Sequence, residues 1–126
     1  MSKILNKYNK RNTHHTLHEI IVKETIDWIE NNLCNPLNIT IVSQKVGYTK
    51  WHFQRIFKQY TGFTISRYIR MRRLSKSALD LITSDKPVID IAIKYQFDSL
   101  QSYHRAFKRM FKVSPNQYRK NIRKLY

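Results

Sequence analysis

The sequence predicts an all-α fold: two helix–turn–helix subdomains joined by a long central linker helix. Three observations carry that expectation. Two Gly and three Pro are spread over 126 residues, so little punctuation divides the chain into strands and turns. Apolar residues recur at helical spacing, not at the alternation a strand needs. The pattern of residues 42–68 returns about fifty positions later, over residues 91–118, which marks a duplicated unit. Hydrophobic residues make up 41% and aromatics 13%, enough for a packed core. The length suits one compact domain or two very small ones.

Taken in order, residues 1–14 are polar and basic without a period and read as a flexible basic tail. The first subdomain is expected over residues 15–64. From Leu17 to Leu33 the apolar residues Val22, Ile26, Ile29 and Leu33 step by four, three and four, one face of an amphipathic helix. Asn35-Pro36 ends it, because a residue before Pro avoids the helical region. Asn38 is placed to cap a short helix running to Val46, and Gly47 to stop it.

Residues 48–62, YTKWHFQRIFKQYTG, combine five large aromatics with three Lys or Arg. Helical spacing separates the two characters. Phe53, Ile56, Phe57 and Tyr60 lie at +3, +4 and +7 from the first and share one face, the expected core face. Trp51, Gln54, Arg55 and Lys58 have the same spacing displaced by two residues, so they share another. Fifty residues on, Tyr103, Ala106, Phe107 and Met110 repeat the apolar face, and Gln101, His104, Arg105 and Lys108 the polar one. Tyr68 and Tyr118 keep that register. Upstream the offset is forty-nine, pairing Val42 with Ile91, Ser43 with Ala92 and Tyr48 with Phe97.

Between the copies, residues 65–83 contain no Gly or Pro and carry apolar positions at Leu74, Ala78 and Leu81. One helix there, within a linker of residues 65–84, would be about 28 Å long. Arg67, Arg70, Arg72, Arg73 and Lys76 lie along it and are expected to form mainly a solvated face, with one or two reaching phosphate. Asp85-Lys86-Pro87 punctuates its end. The second subdomain is expected over residues 85–120 and a basic C-terminal tail over 121–126.

Charge narrows the function. Lys and Arg number 24 against eight Asp and Glu, a formal charge of +16 and a pI near 10.2. Residues 45–126 hold nineteen of those basic residues and four of the acidic ones. Such a charge opposes compaction unless a polyanion takes it up, which favours nucleic acid as partner. No apolar run approaches the ~20 residues of a membrane-spanning helix, and the N-terminus lacks a secretory apolar stretch. Cys34 is the one cysteine, which fits a reducing compartment. A cytoplasmic location with no membrane partner is expected.

Enzyme chemistry finds little support. His14, His15, His18 and Glu19 do not supply the three or four converging ligands a metal site wants. Asp27 and Glu30 sit in an ordinary amphipathic pattern. Cys34 has no base beside it, and two glycines cannot build a phosphate-cradling loop. No catalytic residue, metal or cofactor is expected.

The polar faces suit double-stranded DNA. An α-helix fits the major groove, and a helix–turn–helix places its second helix there. Arg can donate two hydrogen bonds to guanine and Gln can pair similarly with adenine. Trp51 can pack on a thymine methyl, and His104 can donate or accept. Lys50, Lys58, Lys108 and Lys112 flank these positions where they would contact phosphates.

These residues also carry a resemblance. PLNITIVSQKVGYTKWHFQRIFKQYTGFTISRYIRMRRL, followed by IAIKYQFDSLQSYHRAFKRMFKVSPNQYR, resembles the AraC/XylS family of bacterial transcription regulators, over about residues 18–120. It is most similar to the short MarA, SoxS, Rob and TetD group. The resemblance implies seven helices, an asymmetric promoter site bound as a monomer, and recruitment of RNA polymerase to multidrug- or stress-resistance genes. It implies base-reading roles for Trp51, Gln54 and Arg55 in the first recognition helix and for Gln101, Ser102 and Arg105 in the second. Departures fall in the second copy. Gln96 stands where the family commonly has Gly, costing on the order of 1 kcal/mol if φ there is positive. Leu100 stands where close relatives carry a polar amide, and Tyr103 and His104 also differ.

The expectation is therefore a transcriptional activator reading successive major-groove turns with helices about 34 Å apart. The differing exposed residues make its site asymmetric. The alternative is a non-specific architectural DNA-binding protein, whose affinity would come chiefly from phosphates.

Overall fold

The computed structural model describes residues 16–125, which form seven helices. The tail of residues 1–14 and His15 lie outside them. Within the described residues the chain divides into two compact units, one of residues 16–32 and 36–69, the other of 33–35 and 70–125.

In the first unit, α1 (Leu17–Glu30) starts at Thr16, whose side chain accepts a hydrogen bond from the Glu19 N–H. The helix ends three residues short of Leu33, which is nonetheless buried. α2 (Ile39–Val46) is capped by Asn38, whose side chain accepts from Ile41 N–H, and stops at Gly47 with φ 81°. α3 (Lys50–Thr61) runs from the Thr49 cap to Gly62, also at φ 81°. Ile21, Val22, Ile29, Val42, Val46, Phe53, Ile56, Phe57, Ile65 and Ile69 make the core of this unit. Tyr60, expected on the buried face, is 39% exposed, because it sits in the last turn of α3, beyond the packed part of the helix. It and half-buried Ile26 line an open, mostly apolar hollow of about 280 Å³.

α4 (Ile65–Thr83) begins in the first unit and ends in the second. The second unit continues with α5 (Val88–Lys94), α6 (Leu100–Phe111) and α7 (Pro115–Arg123). Residues 121–123, expected in the C-terminal tail, are the last turn of α7. Leu33, Leu74, Ala78, Leu81, Val88, Ile91, Ala92, Tyr95, Tyr103 and Phe107 form this core. Met110, the counterpart of Tyr60, is likewise 39% exposed in the last turn of its helix.

The duplication extends to matching contacts. Aromatic rings follow one another as Tyr48–Phe53 (6.1 Å), Phe53–Phe57 (6.1 Å) and Phe57–Tyr68 (5.5 Å). Their counterparts run Phe97–Tyr103 (5.0 Å), Tyr103–Phe107 (5.7 Å) and Phe107–Tyr118 (5.4 Å). Tyr103 has a hydroxyl where Phe53 has none. That hydroxyl donates to Ser77 Oγ at 2.8 Å, and Ser77 donates to the Leu74 carbonyl at 2.7 Å. The buried group is thereby satisfied, as burial requires.

The left-handed positions are duplicated as well. Gly47 and Gly62 have φ 81°; Gln96 and Lys112, forty-nine and fifty residues later, have φ 67° and 71°. The turn at Gln96 therefore keeps the conformation that glycine usually supplies. The Gln96 side chain donates to the Cys34 carbonyl at 2.8 Å, which offsets part of the strain. Residues 33–35 are also held by Arg73, which donates to the Leu33 carbonyl at 2.9 Å and the Asn35 carbonyl at 2.8 Å. Arg73 is thus a structural tie and not part of a solvated face. Its partner in the repeat, Arg123, donates to the Ser84 carbonyl and to Asp85, each at 2.8 Å. Among the described residues no helix is long and apolar enough to cross a membrane.

Candidate nucleic-acid interface

Burial of Phe53, Ile56 and Phe57 fixes the rotation of α3. Residues displaced by two positions must then face outward. His52, stacked on Tyr48 with ring centres 5.0 Å apart, secures the flank, and His18 meets both rings edge-on. The outward side is an open groove of about 370 Å³ lined by Ile39, Lys50, Trp51, Gln54, Arg55 and Lys58. All five residues singled out from the sequence on this helix are therefore brought together.

Their states differ. Trp51 is 71% exposed, an unusual position for an indole. The Arg55 guanidinium carbon lies 4.8 Å from the centre of its ring. Gln54 is half-buried, and its Oε1 accepts from the Ile65 N–H at 3.3 Å. Bidentate pairing with adenine uses both the oxygen and the nitrogen of the amide. In this arrangement Gln54 offers its nitrogen, and the oxygen satisfies a backbone N–H in the first turn of α4. Lys50 and Lys58 are exposed. Ile39 was not singled out: its spacing from Val42 and Val46 assigns it to the core stripe, where its counterpart Val88 is indeed buried.

In the second unit α6 starts at Ser99, whose Oγ accepts from the Ser102 N–H at 3.0 Å. The Ser102 hydroxyl donates in return to the Ser99 carbonyl at 3.1 Å, so the expected base reader is also part of the cap. Buried Tyr103 and Phe107 turn Gln101, Arg105 and Lys108 outward, all exposed. His104 is half-buried, and its Nε2 is enclosed without a hydrogen-bond partner. The surface His104 presents does not include that nitrogen. The repeat explains the orphan. Gln54 and His104 correspond, as do Ile65 and Pro115, and Pro115 has no N–H to donate. Lys112 ends α6 in the left-handed conformation, and its ammonium donates to the Arg109 carbonyl at 3.2 Å. Leu100, in the first turn, is 36% exposed and offers an apolar surface beside Gln101.

Each outward face thus combines guanidinium, ammonium and amide donors around a rigid helix. That set can bind acceptor atoms of bases and phosphates. Among the described residues no group of three or more His, Cys, Asp or Glu is placed to hold a metal ion.

Comparison with known proteins places this geometry. Residues 42–121 match the family described as "Helix-turn-helix domain". The transposon Tn10 TetD protein of Escherichia coli is 51% identical over 104 residues, which cover 82% of this chain and 75% of TetD. The transcriptional regulator Rob of Salmonella typhimurium is 48% identical over 101 residues, covering 80% of this chain. The match spans 35% of Rob's own length. Among solved structures, the DNA-binding domain of AdpA, a global transcriptional factor in complex with a target DNA, gives a TM-score of 0.77 at 24% identity. That likeness covers 81% of this chain and 92% of the AdpA domain and concerns the fold.

Proposed function

The chain belongs to the AraC/XylS family of helix–turn–helix transcription regulators, and from that premise we propose that it is a sequence-specific activator that binds duplex promoter DNA as a monomer. α3 and α6 enter successive major grooves of one asymmetric site. Bound there, the protein recruits RNA polymerase to genes of multidrug or stress resistance, as its likeness to the short MarA-type members of the family suggests. The observation that carries the reading is the pair of matched outward faces. They occupy the same positions in the two copies but carry different side chains: Trp51, Gln54 and Arg55 against Gln101, His104 and Arg105. Two unlike readers on one chain suit an asymmetric site and need no second protomer.

In this reading Trp51, Gln54, Arg55, Gln101, Ser102 and Arg105 face base edges, with His104 at the margin through the part of its ring left open. Lys50, Lys58, Lys108 and Lys112 hold phosphates and set the register. The charge of +16 also favours a plain architectural binder. Selection of bound duplexes from a random pool near physiological salt separates the two. An enriched asymmetric motif with two informative blocks about one helical turn apart supports the regulator; binding without enrichment supports the architectural protein. Single substitutions refine the test. Arg55→Ala is expected to weaken the selected site by about 1–3 kcal/mol and to relax preference at one base pair. Lys58→Ala should weaken all sequences evenly and reduce the salt slope by about one. Equal losses with unchanged selectivity for both variants would refute the assignment.

A further inference from the structure

The first unit has a hollow at a point where the second unit carries a ring. Ile20, Val22 and Ile26 of α1 and Tyr60 and Thr61 of α3 wall this space of about 280 Å³. Thr61 stands fifty residues before Phe111. The Phe111 ring lies 4.5 Å from that of Phe107 and 5.3 Å from that of Tyr118. Thr61 has no ring to offer, and its hydroxyl donates to the Phe57 carbonyl at 2.8 Å. The first unit is thus one apolar side chain short. Ile20 and Ile26 stay half-buried and Tyr60 stays exposed. Apolar surface of this kind is stabilised by a cover.

Position, content and charge name the cover. Residues 1–15 lie outside the described residues, and they join them at Thr16, whose hydroxyl oxygen is 3.2 Å from the Tyr60 hydroxyl in the hollow's wall. The eight residues back to Tyr8 can span up to about 26 Å. The stretch of α1 from Glu19 to Ile26 is only about 10 Å long. After Met1 the apolar side chains of this segment are Ile4, Leu5 and Tyr8, and Tyr8 is four and three positions from the other two, a spacing that suits one apolar face. The segment also carries Lys3, Lys7, Lys10 and Arg11 and no acid. Four of the chain's eight acidic residues, Glu19, Glu24, Asp27 and Glu30, are on α1 against Lys23 alone. In a molecule of net charge +16, α1 is the surface that attracts a basic segment, whereas a second copy is repelled.

We propose that the hollow is the seat of the chain's own N-terminal segment. Tyr8 supplies the ring that Phe111 supplies in the second unit, and the basic residues around it lie against the carboxylates of α1. This inference is independent of the DNA-reading assignment.

The test is native-state cleavage of the full-length chain by trypsin, comparing rates after Lys10 and Arg11 in wild type, Tyr8→Ala and Thr61→Phe. Tyr8→Ala removes the occupant and alters nothing in the described fold. Thr61→Phe supplies the ring from within and leaves the sequence around the cleaved bonds untouched, so the protease's own preference cannot change the rate. Both variants are expected to raise the rates about tenfold, because a docked segment is cleaved through its open form. Circular dichroism checks Thr61→Phe. If that variant has lost helicity, Lys23→Trp, at an exposed position of the same wall, covers the hollow in its place. Equal rates in all chains overturn the proposal. So does a rise in only one of the two variants, which would seat the segment elsewhere or give Tyr8 no part in it. A dimer in sedimentation that Thr61→Phe dissolves would assign the hollow to a second copy and overturn the proposal as well.

Discussion

At the scale of single residues, Tyr103 shows how a departure from the repeat was absorbed. Its ring is fully buried like that of Phe53, and its hydroxyl is satisfied by Ser77. Burial pushes the phenol up from its ordinary value near 10 to about 12. The sign of the consequence is fixed. The folded chain favours the neutral phenol, so its contribution is complete below pH about 10. It drains away as pH rises toward about 12, because the unfolded chain ionises first. Tyr103→Phe should therefore destabilise the protein by about 0.5–1.5 kcal/mol at pH 8. The gap to wild type should narrow or reverse by pH 11 to 12. Urea titrations at the two pH values measure it, and an unchanged gap would contradict the burial assigned to this group. Sequence alone marked Tyr103 as a core residue through its spacing but could not supply Ser77, which lies 26 positions away. The same limit applies to His104 and Gln54. Their outward placement was readable from the helical period, whereas the enclosed nitrogen of one and the Ile65 bond of the other depend on tertiary neighbours.

At the scale of elements, caps made the fold legible. Asn38 and Gly47 bracket α2 as their chemistry predicts, and the stretch of about 65–83 that lacks Gly and Pro forms one helix, α4. Stripe membership was less readable at helix ends, where Tyr60 and Met110 keep the apolar spacing but outrun their packing partners. The segment 33–35 was least legible of all. Its one periodic residue, Leu33, continues the stripe of α1, yet the segment's place in the second unit is set by bonds to Arg73 and Gln96, 40 and 62 residues away. Gln96 makes that turn testable. Gln96→Ala keeps the positive φ and loses the bond to the Cys34 carbonyl, so a loss of about 0.5–1.5 kcal/mol is expected. Gln96→Gly loses the same bond but relieves on the order of 1 kcal/mol of backbone strain, so its midpoint in urea should lie close to wild type. If Gly were the worse of the two, strain would not be the controlling factor at this turn.

At the scale of the whole molecule, the chain is one motif used twice with different reinforcements. The first copy places glycine at both left-handed positions and ties its recognition helix to α4 through Gln54. The second copy places Gln96 and Lys112 there, starts α7 with Pro115, and uses Arg119 and Arg123 on that helix to hold the end of α4 and the loop after it, through the Leu81, Ser84 and Lys86 carbonyls. Basic residues predominate from residue 45 onward, so both copies share the excess positive charge that duplex phosphates would take up.

The Ile65–Gln54 bond and its missing equivalent at Pro115 bear on how such a protein can change over generations. On the DNA-reading assignment proposed above, one side chain of the first copy, Gln54, would serve both stability and reading, so a mutation there that alters specificity would also loosen the fold. In the second copy the corresponding histidine leaves a polar atom unsatisfied, and replacing it removes a burden. Gln54→Ala should lower stability by about 0.5–1.5 kcal/mol, while His104→Leu should leave it unchanged or raise it by about 1 kcal/mol. A saturation library scored for folded protein should accordingly accept few residues at position 54 and many at position 104. Descendants of this chain would then explore new promoters chiefly through their second half-site, with the first acting as the inherited anchor.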